Sequence, residues 1–135
     1  MATFGDPLMD LGSALAYWVE PTDNMIFRST RRQPTHLKGM FSRKEVVDYY
    51  LQKTGLEPQN WTFYEVFGVF RLAVIAQQIY YRYYHKQTRN PAFKDFWIVI
   101  HALHIRALKL IGLQKIEANE LAQKYMAKFK ELLPK

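Results

Sequence analysis

Apolar residues recur at helical spacing along most of this chain and nowhere alternate at the two-residue spacing of a strand. Gly5-Asp6-Pro7 opens the first helical stretch. An Asp accepts hydrogen bonds from the free backbone N–H groups of a helix start, and Pro suits the first helical position. Leu8, Leu11, Leu15 and Trp18 then fall on one side, and Glu20-Pro21 ends the run. Residues 21–40 carry two prolines, many polar residues and no sustained period, which predicts a long loop. Ser42 opens a second helix, with Glu45 three residues on completing a capping box. That helix runs through Val46, Val47, Tyr50 and Leu51, and Gly55 supplies its stop. Asn60 is placed to cap a third helix, from Trp61 to about Lys86, which is apolar nearly all round as far as Ala76. Such a pattern predicts a central, buried helix. Gly68 inside it lowers helix propensity and is expected to admit a close crossing by another helix. A fourth helix is predicted from Asn90-Pro91 to Ile111, stopped by Gly112. A fifth, over 116–133, places Leu121, Tyr125, Phe129 and Leu132 along one stripe with lysines elsewhere. The expectation is an all-α fold of about five helices in a single domain over residues 1–135, with 113–135 an extra amphipathic helix.

Composition narrows what such a fold can do. The chain has 135 residues, room for one self-supporting core, and its 49% hydrophobic content exceeds what a disordered chain carries. Cysteine is absent, which removes disulfides, thiolate metal sites and a Cys nucleophile together. Met1 to Leu11 has neither the basic start nor the apolar run of a secretory signal. The longest apolar stretch, Trp61 to Ala76, contains Glu65 and Arg71 and falls short of the roughly 20 residues of a membrane span. No membrane partner is expected, and a cytoplasmic location is.

A net charge of +7 invites a polyanionic partner, but the excess is spread along the chain. The run Ile79-Tyr80-Tyr81-Arg82-Tyr83-Tyr84-His85-Lys86 combines stacking rings with cations, as single-strand binders do. On a helix these rings point in different directions, with Tyr80 and Tyr84 sharing a face, so nucleic acid is the weaker reading. His101 and His104 can share a helix face, but no third ligand follows them and no metal site is expected. No Gly-rich phosphate loop is present. Arg71, in the middle of the apolar helix, demands a carboxylate if buried, with Asp10 and Glu65 the two candidates; otherwise it reaches an edge and snorkels.

The first segment carries more than periodicity. Ala2-Thr3-Phe4-Gly5-Asp6-Pro7-Leu8-Met9-Asp10-Leu11-Gly12, continuing Ala14-Leu15-Ala16-Tyr17-Trp18, resembles the aminoglycoside phosphotransferase and choline kinase-like family. It is most similar to the branch that in some animals is fused to acyl-CoA dehydrogenases. Ser42-Arg43-Lys44-Glu45, Tyr49-Tyr50 with Thr54-Gly55, Phe63-Tyr64 and Phe70-Arg71-Leu72-Ala73 agree with it in order. The match runs from about Ala2 to Gly112.

The resemblance implies the C-terminal helical subdomain of a protein-kinase-like fold without its nucleotide-binding lobe. In that family an Asp-Trp-Glu segment precedes this one, and its Asp binds magnesium on the nucleotide phosphates; the catalytic loop lies further upstream. Phosphoryl transfer depends on those parts for positioning and charge stabilisation. Neither is in this chain, which is expected to hold no catalytic, metal or cofactor-binding residue and to be inactive alone. ATP, magnesium and a small hydroxylated acceptor are implied for the full-length parent. Asp6 matches the family's cap on the helix after the metal-binding segment, and Asp10 matches a second Asp that braces the catalytic loop. With Arg71, these are expected to be supporting residues. The alternative is a non-catalytic helical interaction module, whose bared apolar surface would drive formation of a homodimer.

Overall fold

The computed structural model describes residues 5–112. It is helical, with no strand among the described residues. The elements in order are α1 (Pro7–Ala16), α2 (Met25–Ser29), a 3-10 turn (Pro34–His36), α3 (Arg43–Thr54), α4 (Trp61–Tyr84), a second 3-10 turn (Pro91–Phe93) and α5 (Phe96–Leu110). The amphipathic helix expected over 116–133 lies outside the described residues.

Local chemistry sets most of the helix ends. Asp6 accepts a hydrogen bond from the Leu8 N–H at 2.9 Å, with Pro7 in the first turn, as its sequence position predicts. Ser42 and Glu45 form the reciprocal capping box of α3, and Gly55 closes that helix at φ +68°. Asn60, by contrast, makes no side-chain cap on α4. Asn90 caps only a 3-10 turn, by accepting from the Ala92 N–H, so α5 proper starts at Phe96.

The first helix ends at Ala16 rather than at Glu20. Tertiary contact explains the difference. The Val19 N–H donates to Thr35 Oγ1 at 3.1 Å, and the same hydroxyl donates to the Val19 carbonyl at 2.8 Å. Thr35 is buried, and it replaces the helical partners that Val19 would otherwise need. The stretch 21–40 is not wholly a loop either. Asn24 accepts from the Phe27 N–H at 3.0 Å and caps the five-residue helix α2, which buries Phe27 against α5.

At the centre, α4 packs along both α1 and α5. Val69, Ala102 and Leu103 are buried there with Ala16 and Phe27, and Leu72, Ala73, Val99, Ala107 and Leu110 pack round them. A Cβ on Gly68 would run into the Gly12 carbonyl, and one on Gly12 into the Tyr64 carbonyl, so α1 and α4 cross backbone to backbone. The close crossing expected at Gly68 is therefore present, with Gly12 as its counterpart. The expectation that α4 is buried on all sides is not met. Only Gly68, Val69 and Ala76 are buried on it, while Phe63, Phe70 and Val74 are exposed, because α1 and α5 cover two of its sides and leave a third bare.

Two substitutions test these contacts. Gly68→Ala is expected to cost about 2–3 kcal/mol in urea unfolding, since the added methyl meets backbone that cannot rotate away. Thr35→Ala is expected to cost about 1–3 kcal/mol by stranding a buried N–H and carbonyl, whereas Thr35→Ser, which keeps the hydroxyl, recovers most of that loss.

Candidate functional site

The N-terminus of α1 is tied to α4 at the position the sequence singles out. Tyr64 Oη donates to Asp6 Oδ2 at 2.5 Å, so Asp6 both caps α1 and holds the first turn of α4. That hydrogen bond is the main cause of the raised pKa of the Tyr64 phenol, because losing the proton would place two anions side by side. One turn further on, Asp10 is exposed and its side chain makes no hydrogen bond or ion pair among the described residues. Arg71 is exposed as well. It donates from Nη1 to Ser13 Oγ at 3.1 Å, and Ser13 in turn donates to the Met9 carbonyl at 2.8 Å. The ion pair expected for a buried Arg71, with Asp10 or Glu65, does not form: the guanidinium reaches the edge of α4 and stays solvated. Glu65 points elsewhere, because six residues at about 100° each set it on a different side of the helix.

Glu65 faces an open cleft of about 540 Å³ between the end of α1, α3 and the start of α4. Leu15, Val47, Leu51 and Trp61 form its apolar wall, and Glu20, Arg43, Lys44 and Asp48 its polar one. Arg43 is the hub. It donates to both oxygens of Asp23 (2.7 and 2.8 Å) and to the Trp18 carbonyl at 2.7 Å, and pairs with Glu20 Oε2 at 2.9 Å. Its own N–H donates to Glu20 Oε1 at 2.5 Å. Burial disfavours the charge on Asp23, but hydrogen bonds from Arg43 and the Glu20 N–H, with the Arg43 charge, outweigh it and lower the carboxyl pKa. Burial likewise opposes the Arg43 charge, and Asp23 and Glu20 hold its pKa above the usual value. With its donors engaged in this way, Arg43 acts as a clasp between the α1–α2 connection and α3.

Arg106 on α5 is less well served. It approaches Glu65 only to 3.9 Å, lies over the Phe27 ring at 5.3 Å, and leaves Nη1 buried without a hydrogen-bond partner among the described residues. Burial, followed by the Arg43 charge, pushes its pKa down. The sequence reading missed both networks. Glu20 and Asp23 stand twenty or more positions from Arg43, which no local pattern links. A signal did exist for the other pair, because Glu65 is the one carboxylate of α4 and Arg106 a cation within the apolar run of α5.

Among the described residues no three potential metal ligands cluster. His101 lies beside Trp97, and burial, followed by His104, lowers its pKa. The tyrosine run forms local pairs, Tyr80 with Tyr84 and Tyr81 with His85, rather than one continuous platform for bases. Among the described residues no helix is long and apolar enough to cross a membrane.

Set beside known proteins, the chain is 37% identical over 84 residues to acyl-CoA dehydrogenase family member 10 of Mus musculus, covering 61% of this chain and 8% of that protein. It is 36% identical over 86 residues to acyl-CoA dehydrogenase family member 11 of Rattus norvegicus, covering 62% of this chain and 11% of that one. The chain is thus similar to a small segment of each and spans about a tenth of their length or less. No family model matches the sequence. No solved structure matches it either.

The Arg43 clasp has a pH signature. Asp23 has a folded pKa below its ordinary 3.8, so its stabilisation is complete above that value and is lost as pH falls through the depressed one. Asp23→Asn is expected to cost about 2–4 kcal/mol near neutral pH by leaving Arg43 underpaired. In urea titrations the gap between variant and wild type should narrow as pH is taken down to about 2.5.

Proposed function

We propose that this chain is the C-terminal helical lobe of a kinase-like phosphotransferase, inactive by itself. The parent would transfer a phosphoryl group from ATP, with magnesium, to a small hydroxylated acceptor. The α1 N-terminus carries the reading. Gly5-Asp6-Pro7-Leu8-Met9-Asp10 there combines a capping Asp6, locked to Tyr64, with an exposed Asp10 one turn on. A carboxylate standing free on a rigid helix is suited to receive backbone N–H groups from a catalytic loop packed against it. Asp6 and Arg71 then serve as supports, Asp6 by fixing the helix that presents Asp10 and Arg71 by gripping that helix at Ser13. The cleft beside Glu65 and Trp61 is the natural place for an acceptor, since it pairs an apolar wall with the carboxylate of Glu65, which Arg106 approaches only to 3.9 Å. The similarity to segments of acyl-CoA dehydrogenase family members 10 and 11 supports the same assignment.

The parts that generate rate in phosphoryl transfer are the metal-binding Asp, the catalytic base and the nucleotide cradle, and this chain contributes none of them. Calorimetry of the purified chain with Mg-ATP is therefore expected to show no saturable binding. Saturable binding would overturn the reading. Coding sequence upstream that is in frame and contains Asp-Trp-Glu after a catalytic loop would support it.

A second reading rests on a separate observation, the bare phenylalanines of α4. On it, the chain works as a non-catalytic helical module that associates with itself.

A further inference from the structure

α4 is the longest helix among the described residues, and only two of its sides are covered, by α1 and α5. Along the third, Phe63, Phe67, Phe70, Val74, Gln77, Tyr81 and Tyr84 follow one another at alternating steps of four and three. That spacing is the seven-residue repeat with which one helix packs knobs into the holes of another. The outermost members are well exposed, Phe70 at 62% and Tyr84 at 70%. The rings are already arrayed along the helix: Phe63 stacks with Phe67 at 6.5 Å between centroids, so ordering them on association costs little.

We infer that this stripe is the interface of an antiparallel homodimer, α4 of one copy lying along α4 of a second. Three observations point to a second copy. The first is area. Phe63, Phe70, Tyr81 and Tyr84 are each more than half exposed. Aromatics of about 150–250 Å² each then offer roughly 500 Å² per copy, and two copies bury about 1,000 Å², the size at which specific interfaces begin.

The second is self-complementarity. The stripe is purely apolar from Phe63 to Val74 and amphipathic from Gln77 to Tyr84. An antiparallel pair sets Phe67 against Tyr84, Phe70 against Tyr81 and Val74 against Gln77, so each polar tip leaves at the rim while its body covers a phenyl ring. The third is charge. Arg71 flanks the stripe, and the lone carboxylate of α4, Glu65, faces the cleft instead. A pair that set Arg71 against its own copy would be repelled. The antiparallel one places Arg71 opposite Gln78 and holds the two Arg71 side chains about 13 Å apart along the axis, beyond the ~8 Å screening length of physiological salt.

This inference rests on the self-association reading and names its surface, and its test separates the two. Sedimentation velocity on the full chain over about 1–100 µM is expected to show a dimer. Phe70→Glu and Tyr81→Glu are each expected to raise its dissociation constant about 100-fold, because a two-fold axis applies each change twice. Tyr49→Glu, at an exposed aromatic of α3 outside the stripe, should leave the constant unchanged. Circular dichroism establishes that each variant is folded, and two independent positions keep the test decisive if one is not. Since the chain has no cysteine, orientation can be read without background: Arg71→Cys mixed with Gln78→Cys should crosslink, and neither should crosslink with itself. A monomer across the range overturns both the inference and the self-association reading, including the case where another segment of the chain covers the stripe. A dimer indifferent to both glutamates, or an Arg71→Cys variant that links to itself, overturns this interface alone.

Discussion

The backbones of α1 and α4 meet at Gly12 and Gly68, where neither helix has room for a Cβ. Helices normally stand 8–10 Å apart because side chains separate them. With the side chains gone at the crossing, polar groups on either flank come within hydrogen-bond reach across the pair. Tyr64 meets Asp6 on one side of the crossing and Arg71 meets Ser13 on the other. Both are short bridges that a wider separation would break. The same contact fixes the roll of α4, and so decides which face packs on α5, which face opens on the cleft and which is left without cover.

Around that pair, charge does a different job from apolar packing. α5 and α2 join α4 through an apolar core, whereas α3 is joined to the rest largely by Arg43 and the buried Val47. A clasp of this kind adds modest net stability, because stripping water from Arg43, Asp23 and Glu20 opposes their attraction. What it supplies is geometry: a planar guanidinium with both forks engaged holds the α1–α2 connection and the α3 start in one arrangement. Arg106, with Nη1 buried and without a hydrogen-bond partner among the described residues, shows the opposite case. It is a place where the described fold is electrostatically incomplete, beside Glu65.

The legible features were those whose chemistry closes within a few residues. The Asp6-Pro7 cap, the Ser42–Glu45 box and the Gly55 stop each depend on backbone groups no more than four positions away, so spacing alone identifies them. Gly68 was readable as a crossing because a glycine in so apolar a helix has little other use. The end of α1 was not readable, since Thr35 takes over the hydrogen bonds of Val19 from sixteen positions downstream. Nor was α2, whose five residues are too few to display a period and which depends on Asn24 and the burial of Phe27. The sequence left Arg71 open between a buried ion pair and an exposed edge for a related reason: an apolar neighbourhood in sequence need not be a buried one in space.

By itself, then, the sequence determined the helical class, the main helix starts and stops, and the resemblance carried by Gly5 to Leu11, all consequences of local backbone chemistry and of residue types at fixed spacing. Only the tertiary structure decided which carboxylates Arg43 and Arg106 meet, that the Asp10 side chain has no partner among the described residues, and that Phe63, Phe70 and Val74 of α4 stay exposed. The reason is physical. Periodicity records how apolar a helix is on each side, but whether a side is covered depends on how many other helices reach it, and here α1 and α5 cover two of them.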